Sequence, residues 1–109
     1  MLSFQKLRVY QQSIEFLALA VEIIDNLPKG HAELADQLRR AAQSQPRNIA
    51  EGAGRRTRVD QARFYTHARG SAMEAAAALD TMRVMKLVGE GPTIAASACS
   101  RASWGCSRR

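Results

Sequence analysis

The sequence predicts an all-α protein, an up-and-down four-helix bundle made of three long helices and a weak or degenerate fourth. Three observations lead there. Apolar residues recur at steps of three and four through three long segments, the spacing that lines one face of a helix. Period-two runs of β-branched residues are absent, so a sheet has little to build on. The aromatic fraction is only 6%, and the apolar content rests on Ala, Leu, Ile, Val and Met, mostly good helix formers.

The first element follows from Phe4, Leu7, Tyr10, Ile14, Leu17, Val21 and Ile24, which draw one stripe along a helix over about residues 5 to 26. Leu27-Pro28-Lys29-Gly30 stops it. Proline disfavours α geometry in the residue before it, and glycine permits a sharp reversal. The second helix begins near His31 or Ala32 and runs through Leu34, Leu38, Ala41, Ala42, Gln45 and Ile49. Pro46 removes one backbone donor inside it and crowds the carbonyl of Ala42, so a kink is expected rather than a break. Gly52 and Gly54 end that helix, as glycines at left-handed caps do.

After the basic connection Arg55 to Arg58, Thr57 or Asp60 caps a third helix running to about Val88. Its stripe is Phe64, Ala68, Ser71 or Ala72, Ala75, Leu79, Met82 and Met85, slim enough for a neighbouring helix to come close. Gly70 inside it weakens the helix by about 1 kcal/mol relative to alanine, so a packing reason is expected. Beyond Gly89-Glu90-Gly91-Pro92 the composition changes. Residues 1–91 read as the bundle domain, and 92–109 as an atypical C-terminal segment, with a weak helix over Thr93 to Ala102 and a small, polar, basic end. Three long helices then need a fourth apolar stripe, or a partner subunit, to close the bundle.

At 109 residues and 12.0 kDa the chain has room for one domain, and helical domains this small often gain stability by oligomerising. The N-terminus lacks an apolar core behind a basic start, and no stretch reaches the roughly 18 apolar residues of a membrane span. Cys99 and Cys106 are too few for a disulfide framework, which makes a reducing cytoplasm the expected setting.

The net charge of +6 favours polyanionic partners: RNA, DNA or acidic protein surfaces. Arg40 and Arg47 lie seven apart, drift only about 20° around the helix and so share a face. Arg39 adjoins them, and Arg55, Arg56 and Arg58 stand just beyond the helix end. These six are the candidate nucleic-acid contacts, because guanidinium forks match phosphate and stay charged near neutral pH. The competing structural use is an i,i+4 pair between Arg47 and Glu51.

An enzyme is not expected. His67, Ser71 and Glu74 fall at i, i+4 and i+7, but a mid-helix serine has no free backbone donors beside it for an oxyanion hole. No cofactor or metal is expected either. Neither His31 nor His67 has a Glu three positions before it, as a bundle di-iron site needs, and the cysteines lack close-set partner ligands for zinc. Gly89-Glu90-Gly91-Pro92 follows a helix rather than a strand, so it is no dinucleotide loop.

Phe4-Gln5-Lys6-Leu7, Leu27-Pro28, Gln37-Leu38-Arg39-Arg40-Ala41-Ala42, Asn48-Ile49-Ala50-Glu51-Gly52, Phe64-Tyr65, Gly70-Ser71 and Glu74 together resemble the four helix bundle proteins that include those encoded by intervening sequences of 23S ribosomal RNA genes. The chain is also similar to the accessory variability proteins of diversity-generating retroelements. This resemblance implies a four-helix bundle, a ring-like homopentamer with a basic surface, and RNA, DNA or a reverse transcriptase as partner. It makes Pro46, Asn48, Glu51, Gly52, Gly70, Ser71 and Glu74 structural or interface residues. Relatives commonly carry an aliphatic residue where Gln45 stands, a small one where Arg47 stands, and a long amphipathic last helix where this tail departs from the pattern.

Overall fold

A computed structural model describes residues 2 to 88. They form a short 3-10 turn, Ser3–Lys6, and three helices: α1 Arg8–Asp25, α2 Ala32–Ala53 and α3 Arg58–Val84. No strand occurs among the described residues. The fold is all helical, with α2 packed against both α1 and α3 and far more extensively against α3. The weak fourth helix and the segment 92–109 lie outside the described residues.

Each boundary has a local cause. Leu7 is extended at φ −69°, ψ 131°, which separates the 3-10 turn from α1 and moves the helix start to Arg8. The Gln5 side chain bonds the Leu2 amide at 2.7 Å, and Phe4 meets Tyr10 edge-on at 5.0 Å, so the turn folds back onto α1. Gly30 supplies the reversal before α2 at φ +99°. Pro46 is buried inside a continuous α2. Gly54 closes α2 at φ −87°, in right-handed geometry, so the left-handed cap expected at Gly52 or Gly54 is not used. Thr57 is the N-cap of α3, its Oγ1 accepting from the Asp60 amide at 3.1 Å. The C-terminal end comes four residues earlier than expected: α3 stops at Val84, and Lys86 turns the chain at φ 63°.

The expected stripes hold on α2 and most of α3. Leu38, Ala41, Ala42, Gln45 and Ile49 are buried, as are Ala68, Ser71, Ala72, Ala75, Leu79 and Met82, whereas Met85 is exposed. On α1 the expectation is off by one residue. Ser13, Phe16, Ala20 and Ile23 face the core, each one position before Ile14, Leu17, Val21 and Ile24, a rotation of about 100°. Ile14 and Val21 remain 41% and 45% exposed on the flank of the helix. Here the apolar arc is wide enough to offer two faces, and the inner one alternates small Ser13 and Ala20 with large Phe16 and Ile23.

Small residues also set the α2–α3 distance. Ala41, Ala42, Ala68, Ala72, Ala75 and Ala78 are buried between larger Leu38, Ile49, Leu79 and Met82 side chains. At the α2 C-terminus a Cβ on Gly52 would stand 2.8 Å from the Tyr65 ring and 3.1 Å from the Phe64 Cβ. Gly70 is different: it is exposed, and a Cβ there would meet nothing within 4 Å. The packing reason expected for Gly70 is therefore absent among the described residues.

The core is divided in two. One cluster gathers Phe16, Ala20, Ile23, Leu38, Leu79 and Met82, and a second gathers Ile49, Ala68 and Ala72 with Val9, Tyr10 and Tyr65 around them. Between them in chain order lie the buried Ser13 of α1 and Gln45 of α2, while the buried Ser71 of α3 falls within the second cluster, between Ala68 and Ala72. Ser13 Oγ donates to the Tyr10 carbonyl at 2.6 Å, and Ser71 Oγ to Ser44 Oγ at 2.7 Å. The Gln45 Nε2 is buried with no partner among the described residues.

Two predictions follow from this packing. Gly52→Ala lowers stability in urea titrations by about 1–3 kcal/mol, because Tyr65 must move, whereas Gly70→Ala raises it by about 1 kcal/mol. Equal effects at both glycines would contradict the close approach at Gly52. Gln45→Met, similar in length and without an N–H to satisfy, raises stability by about 1–2 kcal/mol; a loss would mean that the amide has a partner.

Candidate nucleic-acid interface

The chain reversal between α2 and α3 gathers three arginines at one end of the described helices. Gly54 to Thr57 turn tightly, so Arg55, Arg56 and Arg58 sit between the last turn of α2 and the first of α3. Val9 and Tyr10 pack against the cluster of Ile49, Ala68 and Ala72, so the start of α1, with Arg8, lies toward the C-terminal half of α2. Arg40 and Arg47, expected to share a face, line one groove between α2 and α3.

The six candidate arginines divide by their partners. Asp36 takes both Arg39, at 3.2 Å, and Arg40, at 2.8 Å, and Glu51 takes Arg55 at 2.8 Å. Arg47, Arg56 and Arg58 are exposed and form no ion pair with another described residue. The pair expected between Arg47 and Glu51 is replaced by Glu51 with Arg55. These are surface bridges, with the Arg40 side chain 79% exposed, and such pairs typically contribute less than about 1 kcal/mol. A phosphate can displace them at small cost.

Arg58 has no ion pair or side-chain hydrogen bond among the described residues. It opens α3, where the helix dipole presents partial positive charge and a cation is disfavoured. Thr57 and Asp60 offset that, and Asp60 also approaches Arg63 at 3.4 Å.

An aromatic residue joins the basic end. The guanidinium carbons of Arg55 and Arg63 lie 4.6 and 4.9 Å from the Phe64 ring centroid, and His67 meets that ring edge-on at 6.5 Å. Sequence reading missed Arg63 and Phe64 as site residues. The signal was there, an arginine turn followed within two helical turns by Arg-Phe, but the contact crosses the loop and has no fixed spacing.

Residues read as structural fall into three groups. Pro46 and Gly52 are buried in the α2 seam. Asn48 is half-buried, its Nδ2 donating to the Ser44 carbonyl and to Ser44 Oγ, both at 2.9 Å, while Ser71 is buried against the same hydroxyl. Glu51, Gly70 and Glu74 are exposed. His67 is exposed too, and the Ser71 hydroxyl donates to Ser44 rather than to it.

A family model described as 23S rRNA-intervening sequence protein matches residues 5–96, and the chain belongs to that family. No curated protein matches the chain significantly. No helix of the described residues is long and apolar enough to cross a membrane.

The pairing pattern has a direct test. Asp36→Asn changes stability by no more than about 0.5 kcal/mol, yet strengthens binding to heparin or an oligonucleotide by freeing Arg39 and Arg40. A loss above about 1.5 kcal/mol would assign those arginines to the fold instead.

Proposed function

We propose that this member of the 23S rRNA-intervening sequence protein family is a non-enzymatic, basic, self-associating accessory protein that contacts nucleic acid through the α2–α3 end. One observation carries the reading: Arg47, Arg56 and Arg58 are exposed without ion pairs among the described residues, and Arg58 stands against its own helix dipole. Cations whose placement adds nothing to the fold fit a polyanion outside it. The partner is RNA, DNA or a protein that handles them, such as a reverse transcriptase.

Self-association rests on a separate face. Val59, Ala62, Met73 and Val84 stand along the outside of α3, all exposed and none of them lining the groove between α2 and α3. Val59 is 82% and Val84 73% exposed, an outlay of apolar surface that suits a subunit contact. A homopentamer is the assembly the family resemblance supplies. The same face favours the second reading, a purely structural or protein-binding module with no nucleic-acid role.

Fluorescence anisotropy with a labelled oligonucleotide, titrated with salt, separates the two. Replacing Arg47, Arg56 and Arg58 together by Gln weakens binding at low salt by about tenfold or more. It also flattens the slope of log K against log salt by about 2 to 3, near 0.7–0.9 for each phosphate contact removed. Unchanged affinity across the salt range, in a protein that light scattering finds oligomeric, supports the structural reading.

A further inference from the structure

Two adjoining cavities on the α2–α3 face share Ser44, Ser71 and Glu74, so they form one continuous groove. One part, about 590 Å³, is edged by Arg40 and Arg47 and walled by Ala41, Ala77 and Ala78. The other, about 530 Å³, is edged by Asn48, Phe64, His67 and Gly70. Both parts lie open to solvent along the α2–α3 seam, a shape that takes a single side group more readily than the broad surface of a duplex.

Its floor is polar and incompletely satisfied. Ser44 Oγ accepts from Ser71 and from Asn48, which leaves the Ser44 O–H as an uncommitted donor and the Asn48 Oδ1 as an uncommitted acceptor. Across the groove, Arg47, His67 and Glu74 form no ion pair among the described residues. A carboxylate and a guanidinium that line the same crevice without closing on each other leave room for a ligand carrying both polarities. Gly70 lowers the wall beside them, although no described residue needs the space.

We propose that this groove holds one unpaired nucleobase of a single-stranded nucleic acid, and that Glu74 selects bases carrying an exocyclic amino group. The inference rests on the nucleic-acid reading above and sharpens it. The backbone phosphates lie along Arg40 and Arg47, which match them as charged forks. The base lies on the exposed His67 ring, stacking on a flat side chain being the usual way an unstacked base is held. Its edge meets the Ser44 hydroxyl and Asn48 carbonyl, and the Glu74 carboxylate accepts from the amino group, as acidic side chains do from cytosine. A run of phosphates passing Glu74 would be repelled, which is why the base rather than the backbone enters there.

The test uses the full-length chain and labelled 12-nucleotide RNAs, all-C and all-U, beside a 12-base-pair duplex. Wild type is expected to bind single strands more tightly than the duplex, and C about tenfold more tightly than U. Glu74→Ala should bring the C/U ratio to within twofold. Gly70→Leu, a helix-favouring change into open space, should abolish the single-strand preference while leaving the salt slope unchanged. Equal binding of C and U by wild type, or a C/U ratio that survives Glu74→Ala, overturns the inference. If the duplex and single strands bind alike and the Arg47, Arg56 and Arg58 replacement weakens both, the groove fails and the basic-end reading stands. If no RNA binds at low salt, both fail.

Discussion

The close approach of α2 and α3 is the constraint on which the rest of the structure depends. Alanines along both helices and the missing Cβ of Gly52 let the two backbones meet with few large side chains between them. A thin seam buries less apolar area per residue than one filled by leucine, so what it gains is position rather than bulk stability. That position fixes the distance across the outer crevice, brings Ser71 within 2.7 Å of Ser44, and sets Phe64 beneath the Arg55 of the preceding turn. Widen the seam and all three contacts go together.

Much of this was legible in the sequence, and the failures have physical causes. Helix number, the turn at Gly30, the passage of α2 through Pro46 and the Thr57 cap come from residue chemistry that acts locally. The inner face of α1 was misread because Tyr10, Ile14, Leu17, Val21 and Ile24 outweigh Ser13 and Ala20 in any count of apolar residues. Packing turned the adjoining face inward instead, burying Ser13, Phe16, Ala20 and Ile23 together. The two helix glycines carried the same expectation and have different outcomes, since a clash with Tyr65 is a tertiary fact that no neighbour in sequence announces.

The charged residues repeat this at longer range. Spacing allowed Glu51 to pair with Arg47 before it or Arg55 after it. The structure takes Arg55, whose guanidinium also lies over Phe64. One arginine is thereby tied into the fold and another released to the groove. The cluster was readable as a surplus of positive charge, but which members are free depends on a ring brought in from the next helix. Asp36 does the same on the earlier turns, holding two arginines with one carboxylate. The basic surface is thus graded, with loosely paired guanidiniums toward the start of α2 and unpaired ones toward its end.

Gln45 connects the core to this surface. On α2 it separates Ala42 of one cluster from Ile49 of the other, so an apolar residue at its position would extend the apolar face between them. Instead the buried polar residues are Ser13, Gln45 and Ser71, and Ser71 reaches through Ser44 to Asn48 at the groove. Buried polar groups weaken a helical core but restrict how the helices slide, because a shift of one turn would leave hydroxyls and amides facing aliphatic side chains. Around an alanine seam, where sliding is otherwise cheap, that restriction matters more than the stability lost. It holds Ser44 and Asn48 of α2 level with His67 and Glu74 of α3, and a groove that reads one edge of a base needs its two walls held in that register.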